Sequence, residues 1–346
     1  MKKVGIIGCG IISQVHAWVL SSMKDVELAG FCDIDTQKAV KLTETAGKFR
    51  SQGISEHTAE GIQPVICSDW RELGDSDIDS LHICTPHYLH APMAAWLLRK
   101  GKAVFMEKPS AISYDQFEEL KEEDARHPGK LGFCFQNRYN ETTGVIDGIV
   151  SRGEIGKIIG GRAFVTWRRD EEYYAVSDWK GKLATEGGGA LINQAVHTLD
   201  LLLRYLGEPV NVKAGMARHH FTDPSIEVED TIEAWMDFES GARACFYASN
   251  AYASDAPVIL ELQGESGRVC MNGQDVTLFA EGKEPVHFTC DREQGIGKGY
   301  WGCGHKACIE DFYRKLENGE RFQNDLTGVE NTFRTMMRIY SEARLV

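Results

Sequence analysis

An amide and an imidazole, Asn193 and His197, stand four residues apart just after the glycine run 187–189. Apolar residues then recur with helical spacing, so the segment 188–206 is predicted to be a helix with one buried face. Residues four apart on a helix share a face, which places the two polar groups side by side. An imidazole titrates near neutral pH, so His197 is a candidate proton acceptor; a histidine satisfied within the core is the alternative.

A second reactive group is the amine of Lys108 in the run Glu107-Lys108-Pro109. The apolar residues 103–106 before it predict a short strand. A lysine amine can donate a hydrogen bond to a developing alkoxide. Beside another positive charge its pKa is expected to fall, so Lys108 is an alternative proton acceptor to His197. Glu107 is expected to orient Lys108 or to contact a ribose, and not to act as a base.

The elements that position these groups begin with a strand, a glycine turn and a helix at the N-terminus. The pattern is G-x-G-x-x-S, the dinucleotide fingerprint with a serine in its third position. Gly8 suits the tight turn, and Gly10 lets the backbone approach a pyrophosphate at the start of the helix, where Ile11 and Ile12 lie. A fingerprint of this kind is weak by itself, but here it follows a predicted strand and opens a predicted helix.

Further strands alternate with helices up to residue 135, which predicts a parallel, doubly wound sheet. Asp33 ends the second strand, where a carboxylate accepts hydrogen bonds from a ribose and repels a 2′-phosphate; this favours NAD over NADP. The alternative for Asp33 is a turn or helix cap. Ligands of such sheets bind at the carboxyl ends of the strands. The residues predicted to contact the cofactor there are Asp33, Thr85, Pro86, His87, His90, Glu107, Lys108 and Gln136.

The second half of the chain has a different pattern, in which strand-like runs follow one another with few helices. It predicts an α+β domain with a large, mostly antiparallel open sheet. We therefore expect a dinucleotide-binding domain over 1–130 and a substrate and oligomerisation domain over 131–346. One face of the open sheet would pack on helices, and the other would meet a second copy of the chain. Trp235, Phe246 and Tyr247 are the candidates for that second face.

Other polar and aromatic groups are candidates for substrate selection. Arg168, Trp179 and His305 are predicted to contact substrate, because aromatic faces beside polar groups suit a sugar ring. A solvated loop with aromatics packed for stability is the alternative. Cys303 and Cys308 flank His305, but their spacing fits no common zinc pattern, so no metal is expected.

Composition limits the classes of partner and the compartment. The formal net charge of −13 over 346 residues argues against nucleic acid or an anionic membrane as the main partner, since both require positive surface. No apolar run approaches the length of a membrane span. The ten cysteines are scattered without a C-x-x-C pair and indicate a reducing, cytoplasmic setting. The polar segment 44–63 is expected to be a loop or a short helical insertion.

Together, the glycine fingerprint, the Thr85-Pro86 turn, the Glu-Lys-Pro motif and the glycine-rich helix resemble the glucose–fructose oxidoreductase, inositol dehydrogenase and rhizopine-catabolism (Gfo/Idh/MocA) family over almost the whole chain. The resemblance implies an N-terminal Rossmann domain, a C-terminal α/β domain and a bound NAD(P). It also implies a homodimer or homotetramer formed through the open sheet. The implied activity is an NAD(P)-dependent dehydrogenase that transfers a hydride from a secondary alcohol of a sugar, cyclitol or sugar derivative.

In that comparison Lys108 matches the family lysine that contacts cofactor and substrate, and His197 matches the catalytic histidine. The family often has Asp-x-x-x-His on this helix, whereas this chain has Asn193, which can position a hydroxyl but cannot take a proton. Two alternatives remain: an NAD-dependent glycoside hydrolase of the same fold, and a regulator that binds dinucleotide or sugar without chemistry. Retention of both Lys108 and His197 argues against the regulator.

Overall fold

The structure is a computed structural model that describes residues 1–52, 63–218, 220–290, 296 and 303–345. Contacts divide the chain into two compact units. The first is Met1–Gln136 with Gln294–Gly328, and the second is Asn137–Glu293 with Val329–Val346. The domain boundary expected after residue 130 stays a prediction; the division by contacts falls after Gln136 and assigns a late segment to the first unit.

Short apolar runs build the sheet of the first unit. Its strands are β1 (Lys2–Ile7), β2 (Val26–Cys32), β3 (Val65–Cys67), β4 (Ser80–Ile83), β5 (Ala103–Met106) and β6 (Leu131–Phe133). They are ordered β3-β2-β1-β4-β5-β6, and all pairings are parallel. The strand order reverses between β1 and β4, which is where such sheets bind ligands. The predicted parallel, doubly wound sheet is confirmed.

The helices between these strands follow the predicted alternation. They are α1 (Ile11–Ser22), α2 (Thr36–Gln52), α3 (Trp70–Asp75), α4 (His90–Arg99) and α5 (Tyr114–Arg126), with 3-10 turns at His87–Leu89 and Gln136–Tyr139. Of the two alternatives expected for 44–63, the helical one holds over 44–52, which form the end of α2, while 53–62 lie outside the described residues. Helix α2 extends because Ala39, Leu42 and Ala46 bury one stripe of an otherwise polar segment.

A nine-stranded sheet forms the second unit. Its strands are β7 (Ile158–Thr166), β8 (Pro209–Ala217), β9 (Thr231–Phe238), β10 (Arg243–Ser249), β11 (Ile259–Gly264), β12 (Gly267–Asn272), β13 (Asp275–Ala280), β14 (Val286–Thr289) and β15 (Arg344–Leu345). The order is β14-β13-β12-β11-β7-β10-β9-β8-β15. The pairs β7–β10 and β8–β15 are parallel and the others antiparallel, which confirms the mostly antiparallel open sheet.

The two faces of this sheet differ in exposure. Trp235 is 64% exposed and Tyr247 is half-buried, whereas Phe246 is only 1% exposed. Successive strand residues point to opposite faces, so Phe246 and Tyr247 cannot share one. The assignment of Phe246 to the open face is therefore wrong: it packs in the core.

The second unit also contains helices. They are α6 (Glu141–Ser151), α7 (Glu171–Ala175), α8 (Leu183–Glu186) and α9 (Val196–Leu206), with a π-helical segment at Ala190–Ala195. The single helix predicted over 188–206 is thus wrong in its first part, which places Asn193 in wider turns than His197. Two helices follow near the end of the chain: α10 (His305–Asn318), in the first unit, and α11 (Leu326–Glu342). Within the described ranges, no helix combines the length and apolarity needed to cross a membrane.

Candidate active site

The turn between β1 and α1 is shaped for close approach by an anion. Gly8 has φ +87°, and a Cβ there would lie 2.6 Å from the Cys84 carbonyl oxygen, so only glycine fits. At Gly10, no heavy atom of the described residues lies within 4 Å of an added Cβ. Helix α1 begins at Ile11 without a side-chain cap or an acidic residue in its first turn. Its first N–H groups can therefore receive a pyrophosphate, and these residues fit a dinucleotide.

Asp33 fixes this turn from the end of β2. One carboxylate oxygen accepts the Cys9 N–H at 2.8 Å, and the other accepts the Asp35 N–H at 2.9 Å. The side chain is half-buried, as is Ile12, while Ile11 is 67% exposed. Asp33 thus makes the turn contact offered as its alternative role. Its position at the carboxyl edge of the sheet also agrees with the predicted ribose contact.

His90 joins two of the loops predicted to contact the cofactor. Its Nε2 lies 2.8 Å from the Thr85 carbonyl oxygen, after β4, and its Nδ1 lies 2.9 Å from the Pro109 carbonyl oxygen, after β5. The ring is buried, and burial lowers its pKa. Both ring nitrogens are directed at backbone, so we revise His90 from a cofactor contact to a support for these loops. Thr85 and Pro86 are half-buried beside it, and His87 is buried.

Glu107 anchors the backbone next to Lys108, whose bond to Pro109 is cis. The Glu107 carboxylate is 7% exposed and lies 3.0 Å from Nε2 of His16. Burial would raise the pKa of Glu107, but the hydrogen bond and charge of His16 hold it well below its usual range. Glu107 is therefore ionised at neutral pH and orients the segment that carries Lys108.

A buried hydrogen-bonded chain continues from this carboxylate. Nδ1 of His16 lies 2.7 Å from Nδ1 of His82, and Nε2 of His82 lies 2.9 Å from the Tyr313 hydroxyl, which is 3.1 Å from Ser80 Oγ. Burial holds the pKa of His82 well below its usual value. Only the fold reveals this chain, because its members come from α1, β4, β5 and α10.

Two other predicted residues of the first unit are buried close to this group. His305 starts α10, and burial lowers its pKa to about 4, with the charge of Glu107 opposing that change and the charge of Lys108 adding to it. It is therefore neutral at pH 7. Gln136 is buried, and its Oε1 lies 3.9 Å from the Cys134 thiol, its donor.

Three buried side chains, His16, Glu107 and Cys134, place potential metal-ligating atoms within 4.8 Å of one another. The contact between His16 and Glu107 already accounts for two of them. Burial holds the pKa of the Cys134 thiol well above its usual value, so the sulfur carries its proton and is a poor ligand. The chemistry of this donor set does not favour a metal.

In the second unit, glycines let two other elements approach the start of the π-helical segment. A Cβ at Gly189 would lie 2.0 Å from the Glu229 carbonyl oxygen, and one at Gly188 would lie 2.1 Å from the Tyr340 hydroxyl. The Glu229 carboxylate accepts the N–H groups of Gly189 at 2.7 Å and Leu191 at 3.0 Å. The glycine run is thus a packing requirement that fixes where the segment begins.

Asn193 is held by a network of buried polar groups. Its Nδ2 donates to Oε1 of Glu186 at 2.5 Å and to the Tyr173 hydroxyl at 3.3 Å. The same hydroxyl accepts from Gln194 at 3.1 Å, and Gln194 in turn accepts from Asn250 at 3.1 Å. Asn193 and His197 are both half-buried. This network is what fixes the orientation of the Asn193 amide.

Aromatic rings and cations line the same network. The Lys180 amine lies 3.8 Å from the centre of the Tyr173 ring and 5.9 Å from that of half-buried Trp179. The Arg169 guanidinium lies 5.5 Å from the Tyr173 ring and pairs with Asp255 at 2.9 Å. These contacts place Trp179 close to the polar network, as its predicted role requires.

Arg168 and Asp200 each lie close to a side chain of opposite charge. The Arg168 side chain is mostly exposed and lies 3.8 Å from Asp170, so its neighbour Arg169 is the arginine beside the network. Asp200 makes a two-pronged ion pair with Arg138, with contacts of 2.7 and 2.5 Å, and accepts from Thr332 at 2.6 Å. Its carboxylate is committed to packing the second unit.

Sequence reasoning did not select Glu186, Gln194 or Asn250 as site residues. The sequence feature that could have indicated Glu186 is its position directly before the glycine run. An acidic residue there is easily taken for an ordinary surface group. Asn250 ends β10, so only the pairing of strands reveals its role. The tandem tyrosines at 173–174 were visible as aromatic residues, but their hydrogen bonds were not.

Comparison with known proteins identifies both parts of the chain. Residues 2–133 match an oxidoreductase family with an NAD-binding Rossmann fold, and residues 146–270 match the GFO/IDH/MocA C-terminal domain. Glucose-6-phosphate 3-dehydrogenase of Bacillus subtilis is 26% identical over 251 residues, which cover 68% of this chain and 64% of that protein. The chain thus matches a little under two thirds of that relative's length.

Two other proteins extend the likeness. Inositol 2-dehydrogenase of Rhizobium meliloti is 25% identical over 86% of this chain and 80% of its own. The solved WlbA dehydrogenase of Bordetella pertussis, in complex with NADH and UDP-GlcNAcA, superposes with a TM-score of 0.81 over 99% of this chain and 96% of its own. Its 23% identity shows the fold alone. The two matched regions together establish that this chain belongs to the GFO/IDH/MocA family of oxidoreductases.

Proposed function

We propose that this protein is an NAD-dependent dehydrogenase that oxidises a secondary alcohol of a sugar, cyclitol or sugar derivative. The observation that carries the proposal is the fixed, half-buried Asn193 amide on a π-helical segment just before His197. Wide helical turns of this kind are frequent at functional sites. The names of the relatives, which act on glucose 6-phosphate and inositol, agree with a polyhydroxylated substrate.

The chain's own residues suit NAD. We assign the pyrophosphate to the N–H groups after Gly10 and the adenosine ribose to Asp33, with Ile11, Ile12, Thr85 and Pro86 lining the cofactor. Glu107 supports Lys108, while His87 and Gln136 stay proposed cofactor neighbours. When bound, NAD supplies an oxidant that takes up two electrons and one hydrogen from an alcohol carbon.

We assign three roles to polar groups around the substrate. His197 accepts the hydroxyl proton, since an imidazole is largely neutral at pH 7. Lys108 donates a hydrogen bond to the same oxygen and stabilises the negative charge that develops on it. Asn193 offers its carbonyl oxygen to a neighbouring hydroxyl. That Lys108 and His197 act on one oxygen remains a proposal.

Specificity is assigned to side chains of both units. Trp179 offers an apolar ring to the C–H face of a sugar, and Arg168 and His305 stay proposed substrate contacts. We also propose a homodimer or homotetramer formed through the sheet face that carries Trp235, and a cytoplasmic location. Residues 1–130 would bind the dinucleotide, and residues 131–346 would bind substrate and form the oligomer.

A panel of polyols, sugars and sugar phosphates with NAD and NADP tests the function, with absorbance of the reduced nicotinamide as the measurement. We expect reduction with NAD, and a loss of about 100-fold or more in kcat for both Lys108→Ala and His197→Ala. Wild-type turnover in both variants would overturn the site. Release of sugar from an aryl glycoside without added NAD would instead favour a hydrolase.

A further inference from the structure

The family pattern places a carboxylate four residues before the histidine, and this chain has Asn193 there. A carboxylate is nonetheless present, because Glu186 reaches the Asn193 amide from the end of α8. Gly187, with φ +86°, ends that short helix and turns the chain toward the π-helical segment. Glu186 is 1% exposed, and burial of a carboxylate is costly unless hydrogen bonds compensate for the lost water.

The hydrogen bonds of Asn193 fix which way its amide points. Nδ2 donates to Glu186 and to the Tyr173 hydroxyl, and an amide nitrogen carries only two hydrogens. The carbonyl oxygen must therefore lie on the opposite side of the side chain. A flipped amide would set its oxygen against the Glu186 carboxylate, which repels it. The second oxygen of Glu186 accepts the Gly181 N–H at 2.5 Å, so the carboxylate cannot turn away.

We propose that Glu186 is a positioning residue, which holds the Asn193 amide with its carbonyl oxygen toward the substrate. The inference rests on the proposed function, in which Asn193 contacts a substrate hydroxyl. Glu186 itself does not touch substrate. An acceptor at position 193 favours a hydroxyl donor, and losing it weakens binding without removing the proton acceptor.

The protonation of Glu186 decides this orientation. Burial raises its pKa to about 7, with the charge of Glu229 adding to the rise and the amine of Lys180 opposing it. The other titratable groups nearby, Tyr174 and Tyr340, have pKa values raised by burial and stay neutral. A protonated Glu186 donates to Asn193, so the amide reverses and presents Nδ2. Substrate binding should therefore weaken below about pH 7.

A carboxylate swap tests the inference. In Glu186→Gln the new side chain satisfies Gly181 with its oxygen and donates its NH₂ to Asn193, which fixes the reversed amide. We expect KM for the substrate to rise about tenfold and to lose its dependence on pH near neutrality, with a smaller change in kcat. Adding Asn193→Asp to Glu186→Gln restores an acceptor at position 193, and KM should return to within about threefold of wild type.

An unchanged KM and pH profile in Glu186→Gln would overturn the inference, as would a double variant no better than the single one. Glu123→Gln is the matched control: Glu123 is also buried but pairs with Arg99 and Arg126, so its change should leave the pH profile of KM unaltered. Unfolding by urea gives a readout that needs no substrate. The free energy of unfolding of Glu186→Gln relative to wild type should increase between pH 5 and pH 8. An equal difference between the two proteins at both pH values would contradict the buried placement of Glu186.

The two failures are distinguishable. One outcome is that no alcohol in the panel reduces NAD, while the difference in unfolding free energy between wild type and Glu186→Gln changes with pH as expected. The proposed function then fails and the pH-sensitive contact of Glu186 stands. The other outcome is that turnover is observed, but Glu186→Gln changes neither KM nor the pH dependence of the unfolding free energy. The inference then fails and the function stands.

Discussion

Two buried glutamates, Glu107 in the first unit and Glu186 in the second, have opposite electrostatic surroundings. Glu107 lies 3.0 Å from a histidine ring nitrogen, and the charge and hydrogen bond of that ring lower its pKa despite burial. Glu186 accepts from an amide and a backbone N–H, with a second buried acid close by, and burial raises its pKa to about 7. Burial alone therefore does not decide whether a carboxylate is charged; its partners do.

The comparison separates two uses of a buried carboxylate. The charge on Glu107 is permanent at physiological pH, which suits a support for the Lys108 segment. The charge on Glu186 changes near neutrality, which suits a group that sets the direction of a neighbouring amide. Asp200 has a third kind of surroundings, since it pairs with the guanidinium of Arg138 within the second unit.

The largest expected effect is that of Glu107→Ala. Removal of the buried carboxylate leaves Nε2 of His16 without this hydrogen-bond partner and opens a cavity, so the free energy of unfolding should fall by about 3–5 kcal/mol at pH 7. The depressed pKa of Glu107 stabilises the fold above the ordinary glutamate value and loses that contribution as the pH falls below it. Urea unfolding at pH 7 and pH 4 should show a smaller difference in unfolding free energy between wild type and Glu107→Ala at the lower pH. An equal difference at both pH values would mean that the pKa of Glu107 is not lowered in the folded protein.

Glu186→Gln should show the opposite dependence on pH. A carboxylate whose pKa is raised by folding destabilises the protein progressively as pH rises from its ordinary value to the folded one, here about 7. The variant lacks this loss, so its stability relative to wild type should increase by about 2 kcal/mol between pH 5 and pH 8. Urea unfolding at the two pH values measures the change. If the stability of Glu186→Gln relative to wild type instead falls with rising pH, Glu186 behaves as Glu107 does and the contrast is lost.

Asp33 is less buried than the two glutamates, and both of its carboxylate oxygens accept backbone N–H groups. In Asp33→Asn the side-chain NH₂ opposes one of those donors, and the acceptor for the ribose is weakened. We expect the dissociation constant for NAD to rise about tenfold, with a smaller effect on NADP. Fluorescence titration of both cofactors measures the two constants. An equal loss for both would mean that Asp33 only holds the turn.

The smallest expected effect is that of Tyr173→Phe, which removes the hydroxyl shared by Asn193 and Gln194. Each amide keeps another contact, to Glu186 and Asn250 respectively, so the cost should be about 1 kcal/mol in stability. The substrate KM should rise about threefold, less than in Glu186→Gln, since the carboxylate still fixes the amide. A larger effect than that of Glu186→Gln would make the tyrosine, and not the glutamate, the group that orients Asn193.

Much of the fold could be predicted from local patterns. The six parallel strands of the first unit follow from short apolar runs that alternate with helices, and they form the predicted sheet. The helix after the glycine run was predicted, but not its π-helical start at Ala190, because Glu229 imposes it from a distant part of the chain. For residues 44–52 the polar composition left a loop and a helical insertion both open, and buried packing selected the helix.

For the site, the sequence by itself determined which chemical groups are available: the glycine turn, the carboxylate at Asp33, the amine of Lys108 and the amide and imidazole before and within α9. Their types and spacing are local properties that a chain carries into any fold. Only the tertiary structure decided their electrostatic state and orientation. Dielectric, charge pairing and hydrogen-bond direction depend on neighbours distant in sequence, such as His16 for Glu107 and Glu229 for Glu186.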